Sequence, residues 1–286
     1  MESKAIDPVE FRDAQKESWD HAAAGWKKWS EWWDRYASSV SERLVQLADI
    51  EPGARVLDVA AGYGEPALTA ARKAGSDGRV VATDISAEML AFGRERAESA
   101  GVSNIEFMTS DANSLDFPHE SFDAAVSRWG IIFEPDGEAT AERVRGFLKP
   151  EAKFAISSWG EPETVPFIAR PMKTALEFLG EEPPPPGTPG PLSRPTPEAI
   201  GGLLQGGGFS DVQVEEMELA LDWASPEEFS VYIKDIVAPI IKMVEAHPED
   251  VQEKAWKAIA DDIRSEAESD DSLQLSNKVL LAVGTA

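Results

Sequence analysis

The sequence predicts an α/β fold: a doubly wound, mostly parallel sheet of seven strands, with added N-terminal and C-terminal helices forming a cap. Three observations predict it. Between residues 55 and 159, short apolar runs alternate with helical stretches. That spacing implies βαβ units, because parallel strands need a crossover and not a hairpin. Two further apolar or alternating runs, at about 211–221 and 277–283, close the sheet.

The elements follow in order. Residues 8–50 read as helix, with Trp19, Trp26, Trp29, Trp33 and Tyr36 at steps of seven, three, four and three, one helical face. This stripe either packs the helix on the body or closes over a substrate. Buried tryptophan needs a partner for its N–H, so a wet cavity suits it. Glu51-Pro52-Gly53 is a turn. Strands are expected at 55–60 (RVLDVA), 79–85 (RVVATDI), 105–111 (IEFMTSD), 122–129 (FDAAVSRW) and 153–159 (KFAISSW). A helix over 66–75 ends in glycine, and Ser86 can N-cap the next, with Met89 on its inner face. Residues 162–180 contain a helical stretch. Residues 181–197, proline-dense and with prolines at 183–186, read as an extended loop. Thr196 caps a short helix over 197–206. Ser225 starts a helical region with capping-box spacing, broken at Pro239 and Pro248 and running to about 268. The expected organisation is a helical lid over 1–50 and a core over 51–160. Residues 161–286 are the rest of the same domain, with cap helices at about 162–206 and 225–270.

Charge narrows the partners. The 286 residues carry 27 Lys plus Arg against 52 Asp plus Glu, a formal charge of −25, with 42 % hydrophobic residues. That is enough apolar content for a core. Nucleic acid and anionic membranes are disfavoured, because both need a basic surface. A solvated acidic surface, suited to high salt, is the plain reading of the charge. There is no cysteine, which excludes disulfides, thiolate zinc sites and a cysteine nucleophile; no metal is expected. The polar start, MESKAIDPVEFRD, has no apolar export segment, and no run of about 18 apolar residues occurs. The expected location is cytoplasmic and the expected partner a small molecule.

The strand ends carry the chemistry. The first runs into Asp58-Val59-Ala60-Ala61-Gly62-Tyr63-Gly64-Glu65-Pro66. Glycines permit a tight turn and close backbone approach, and the following helix start favours a carboxylate or phosphate. The second ends at Asp84, whose acceptor-only carboxylate can take two hydrogen bonds from a ribose diol. The third ends at Asp111-Ala112, which can accept from an adenine amine. The fourth ends at Ser127-Arg128-Trp129. Ligands of open α/β sheets sit beyond these carboxyl ends. Gly62-x-Gly64-x-x-Ala67 followed by Asp84 also fits the dinucleotide fingerprint of an NAD(P)-dependent oxidoreductase. Against that stand the acidic Asp58 inside the first strand, Pro66 at the helix start and the lack of a Tyr-x-x-x-Lys pair. A ligand with a cation near the glycine loop explains Asp58 better.

VLDVAAGYGEPALTAA, VVATDIS, SDANSLDFPHESFDAAVSRWGIIFEPD and FLKPEAKFAISSW resemble successive motifs of class I S-adenosylmethionine-dependent methyltransferases, a Rossmann-like family. The branch most similar is that of ubiquinone/menaquinone-biosynthesis methyltransferases. The resemblance covers about 51–160 and makes that stretch the cofactor-binding core. It implies S-adenosyl-L-methionine as cofactor. It implies that Ala60, Gly62 and Gly64 line the methionine end and that Asp58 contacts the amino group. Asp84 would bind the ribose, Ile85 would pack on adenine, and Asp111 with Ala112 would meet the adenine amine. Ser127 and Arg128 would border the methyl donor. Ala60 replaces the family's usual first glycine, and Lys149-Pro150-Glu151-Ala152 replaces a Pro-Gly-Gly turn.

The expected function is in-line C-, O- or N-methylation of a small molecule. Trp26, Trp29, Trp33, Arg128 and Trp129 are expected to line the substrate. A flat quinone, phenol or polyketide suits such a cavity, and so does a compatible-solute amine held by cation–π contact. Candidates for catalysis are His21, at the start of the Trp-rich helix, and Arg128 as an anion contact. His119 and His247 read as exposed or structural. Glu134 and Asp136 flank Pro135 at the ligand edge.

Overall fold

The computed structural model describes residues 8–185, 187–267 and 272–286. Residues 1–7, at the start read for an export signal, lie outside the described residues, as do Pro186 of the proline run and residue 268, where the helical region was expected to end.

The chain opens with α1 (Pro8–Lys28) and α2 (Ser30–Leu47). It then alternates β1 (Arg55–Val59), α3 (Ala67–Ala74), β2 (Arg79–Asp84), α4 (Ala87–Ser99), β3 (Ile105–Thr109), β4 (Phe122–Arg128), α5 (Gly137–Phe147) and β5 (Leu148–Trp159). There follow α6 (Pro166–Leu179), α7 (Pro197–Gly206), β6 (Ser210–Trp223), α8 (Pro226–Ile236), α9 (Ala238–Glu245), α10 (Glu249–Ile263) and β7 (Leu273–Thr285). The seven strands form one sheet in the order β3-β2-β1-β4-β5-β7-β6. Every pair from β3 to β5 is parallel, and only β7 runs against its neighbours. The strand order reverses between β1 and β4, where a crevice opens in doubly wound sheets.

Alternation along the strands builds two apolar layers. Leu57, Val59, Phe122, Phe154 and Ile156 meet α5 and α7 on one face. Val56, Val80, Val126 and Ala155 meet the other layer, which runs on into α2, α3 and the cap helices α8–α10.

Three expectations change. The single helix over 8–50 is two, because the backbone turns at Trp29 (φ −97°, ψ 7°). Gly25 lies so close to α8 that an added Cβ would collide with the Asp235 carbonyl, so α1 leans on α8 while α2 packs on the sheet. The turn at 149–152 lies inside β5: Leu148 pairs with Phe122 and Lys153 with Ala124, and the residues between bulge outward, with Glu151 at φ 66°. The proline-dense loop is docked at the carboxyl ends of β4 and β5. Ser193 Oγ donates to the Ile132 carbonyl at 2.8 Å, and Ser158 Oγ donates to that of Arg194 at 2.8 Å. No described helix is long and apolar enough to cross a membrane.

Candidate active site

A cavity of roughly 400 Å³ opens at the reversal point, between the carboxyl ends of β1–β4 and the helical cap. Its floor begins with the turn after β1. Ala60, Gly62 and Gly64 all have left-handed backbones (φ 57°, 52° and 98°). Glycine adopts that state freely, whereas alanine is strained there. Gly130, after β4, closes on this turn: a Cβ on it would lie 2.5 Å from that of Ala60.

Asp84 ties the floor together. One carboxylate oxygen accepts from the Gly62 amide and the other from the Ser86 amide, each at 2.8 Å. Burial pushes its pKa up to about 6, against the pull of those amides. Ser86 caps α4 by accepting from the Met89 amide at 3.1 Å, and its hydroxyl donates to Asp20 of α1 at 2.6 Å. Asp111 accepts from the Asn113 amide at 3.0 Å, and the Asn113 side chain donates to Glu134. Burial first, then the charge of Asp111, pushes Glu134 up to about 7.

Arg128 is buried, 8 % exposed, at the end of β4. It donates to Ser41 Oγ at 2.8 Å and to Tyr63 Oη at 2.6 Å, and its guanidinium stacks over Trp129 at 5.3 Å. The acids that act on its charge are Glu65 and Asp58. Trp129 is held in the left-handed region (φ 54°), a strained state for a bulky residue, and lies flat on Trp159 at 4.4 Å. Trp26 stacks between Trp33 and Tyr63, at 5.5 Å from each.

Of the sequence-predicted residues, Ala60, Gly62, Asp84, Ile85 and Asp111 line the cavity, as do Trp26, Trp33, Arg128 and Trp129. The others are placed elsewhere. Asp58 is fully enclosed beneath the turn; burial, outweighing the opposing Arg128 charge, holds its carboxyl well above the usual range. Neither of its oxygens has a hydrogen bond of standard geometry among the described residues, though the Ala67 amide favours it electrostatically. Gly64 faces Gly93 of α4, and Ala112 packs into the layer with Leu115. Ser127 is occupied within the sheet, donating to the Val59 carbonyl and accepting from the Ile131 amide. Trp29 turns away, and its indole N–H donates to Asp235 of α8 at 2.8 Å, so it braces the α1–α2 bend on α8 and does not line the cavity. His21 is exposed near Glu245 at 3.8 Å, outside the cavity. His119 and His247 also lie away from it, beside Gly146 and Glu181. Asp136 and Glu134 do line it.

Sequence reasoning missed Tyr63, Glu65 and Met89, which sit beside the motif residues, and Trp159, which ends the fifth strand. It also missed Phe167 and Tyr232, brought in from the cap helices, for which no local signal exists.

A methyltransferase domain model matches residues 56–151. Aklanonic acid methyltransferase DauC of Streptomyces sp. (strain C5) is 31 % identical over 156 residues, 51 % of this chain and 70 % of DauC. The chain belongs to the class I S-adenosylmethionine-dependent methyltransferase family. The ubiquinone/menaquinone biosynthesis C-methyltransferase UbiE of Pseudomonas putida KT2440 is 35 % identical over 119 residues, 41 % of this chain and 46 % of UbiE. Rv1405c, an uncharacterized protein of Mycobacterium tuberculosis, is 35 % identical over 116 residues, 41 % of each. The matched stretch thus spans about two fifths of the length of the first curated relatives. Among solved structures, the YcgJ protein of Bacillus subtilis superposes with a TM-score of 0.55 at 18 % identity, covering 86 % of this chain and 98 % of YcgJ. The [4+2]-cyclase SpnF also gives 0.55 at 18 %, covering 88 % and 82 %. These two share the fold. A cyclase on this fold shows that the reaction must be argued from the site. The oxidoreductase alternative finds no support: the family matched is that of methyltransferases.

Proposed function

We propose that the chain transfers a methyl group from S-adenosylmethionine to a small-molecule acceptor held beneath the helical cap. The observation that carries this is the convergence of the β1 turn, Asp84, Asp111 and the β4 loop on one cavity at the point where strand order reverses.

The residues fit that cofactor. Each Asp84 oxygen already accepts one amide and keeps a lone pair for a ribose hydroxyl. Ile85 offers an apolar face to adenine, and Asp111 an acceptor for its amine. The left-handed turn at 60–64 allows the methionine end to approach the backbone. Glu65 lines that end beside the buried Asp58 carboxyl, while Arg128 keeps its Nε–H unused among the described residues. When bound, S-adenosylmethionine supplies a methyl group already activated by the sulfonium charge. The protein's part is then to align the acceptor and exclude water; positioning contributes up to about 7–11 kcal/mol in good models. Trp26, Trp33, Trp129 and Trp159 supply the dry wall. None of the three histidines is placed to act as a base there. Glu134, on the side of Asp84 and Asp111 and pushed up to about 7 by burial, sits at the cofactor end of the cavity.

Calorimetric titration with S-adenosylhomocysteine, beside NAD in a parallel cell, tests the proposal. Micromolar binding of the former alone is expected; binding of NAD alone would overturn it.

A further inference from the structure

Two side chains of opposite charge stand at the turn after β1. Glu65 follows the turn and lines the cavity, with its side chain 9 % exposed. Its Oε2 accepts from the Thr69 hydroxyl at 2.8 Å, which fixes the carboxylate. Its Oε1 lies 4.0 Å from Arg72 Nη1, beyond hydrogen-bond distance, so that oxygen can accept from a guest. Arg128 ends β4, beside the loop whose Gly130 abuts Ala60 of the turn. Its Nη2 donates to the hydroxyl of Tyr63 within the turn, and its Nη1 to Ser41. Both partners are neutral. The Nε–H of this buried cation, at the cavity wall, has no partner among the described residues. Glu65 and Arg128 are near enough for the charge of one to act on the other.

A guest with a single charge answers one of these groups and is repelled by the other. A phosphate meets Glu65, and a simple amine meets Arg128. An α-amino-acid end, with an ammonium beside a carboxylate, answers both. The family resemblance gives the ammonium to Asp58 instead. That carboxyl lies beneath the turn, 0 % exposed and outside the cavity lining. Burial holds it above its usual range, which disfavours the charge an ammonium needs.

We infer that Glu65 takes the ammonium and Arg128 the carboxylate of the cofactor's amino-acid end, and that Asp58 touches neither. This rests on the methyltransferase reading above. Tyr63 sets the arrangement: it belongs to the turn that carries Glu65, and its hydroxyl holds the guanidinium.

The test pairs residues with ligand groups by calorimetric binding to the intact protein. The ligands are S-adenosylhomocysteine, its deamino analogue, which keeps only the carboxylate, and its decarboxy analogue, which keeps only the ammonium. Each analogue is expected to bind the unmodified protein at least about tenfold more weakly than S-adenosylhomocysteine, the range of a hydrogen bond to a charged group. Glu65→Gln is expected to weaken S-adenosylhomocysteine at least about tenfold and the deamino analogue less than about twofold. Arg128→Met is expected to weaken S-adenosylhomocysteine by a similar factor and to spare the decarboxy analogue, whose binding reports a folded variant. Asp58→Asn is expected to leave the ratio of S-adenosylhomocysteine to deamino affinity unchanged. Equal binding of either analogue and S-adenosylhomocysteine to the unmodified protein overturns the inference, whatever the variants do. So does a ratio that Glu65→Gln leaves intact or Asp58→Asn collapses, or loss of both ligands in Glu65→Gln. Failure of S-adenosylhomocysteine to bind the unmodified protein overturns the methyltransferase reading instead.

Discussion

Ala60 occupies a left-handed turn position where its Cβ crowds the following carbonyl, at a cost of roughly 1–2 kcal/mol. Ala60→Gly relieves this but adds freedom to the unfolded chain, so a net gain of about 0.5–1 kcal/mol is expected in the urea midpoint. Asp84 holds the Gly62 turn and Ser86 at once. Asp84→Ala should weaken S-adenosylhomocysteine about a hundredfold, as two charge-assisted bonds require, with far-UV dichroism checking that the fold persists. Glu134 titrates near 7 and Asp84 near 6 because burial disfavours their charge. Both bind protons more tightly folded than unfolded. Their stabilisation is therefore complete below about pH 4 and is lost as pH rises through about 6 for Asp84 and about 7 for Glu134. Glu134→Gln is expected to raise the melting temperature at pH 8 and to change it little at pH 4. At this scale the sequence made Asp84 and Asp111 legible, because a strand-end residue is fixed by local spacing. It did not show that Ser127 turns inward or that Tyr63 faces the cavity: side-chain direction at a turn depends on φ values that only packing sets.

The helices of the cap show where periodicity misleads. Trp26, Trp29 and Trp33 fall on one face of an unbroken helix, yet the bend at Trp29 sends that indole to Asp235 and leaves its neighbours at the cavity. The cause is a long-range contact, Gly25 against α8, which no local pattern records. The short strands were legible from apolar runs bounded by turns. α8 was legible as a helix but not as the carrier of Tyr232. α1 is pinned at three places: Asp20 to Ser86, Lys27 to Glu95 and Lys28 to Asp235. The first touches the loop that Asp84 organises, so ligand at Asp84 and order in α1 are coupled. Saturating S-adenosylhomocysteine is expected to slow amide exchange over residues 19–36, read by mass spectrometry; unchanged protection would make α1 a packing element only.

Across the whole molecule, 52 acids against 27 bases leave a surface that repels itself. Surface pairs such as Arg43–Glu215 and Lys278–Glu216 neutralise only part of it. The melting temperature is therefore expected to rise between 0.05 and 1 M KCl, where the Debye length shrinks from above 10 Å to about 3 Å. The seven-stranded, mostly parallel sheet was legible because its period is local; the length of β6 and β7 was not, since the ends of these long strands are held by each other. That pairing bears on biosynthesis. β7 lies between β5 and β6, and fifty positions separate Trp223, the last residue of β6, from Leu273, the first of β7. A ribosome adding about 5–20 residues per second makes β6 wait several seconds for β7, its one neighbour among the described strands. During that interval residues 210–223 are an alternating strand with both edges open, a segment on which a chaperone can act.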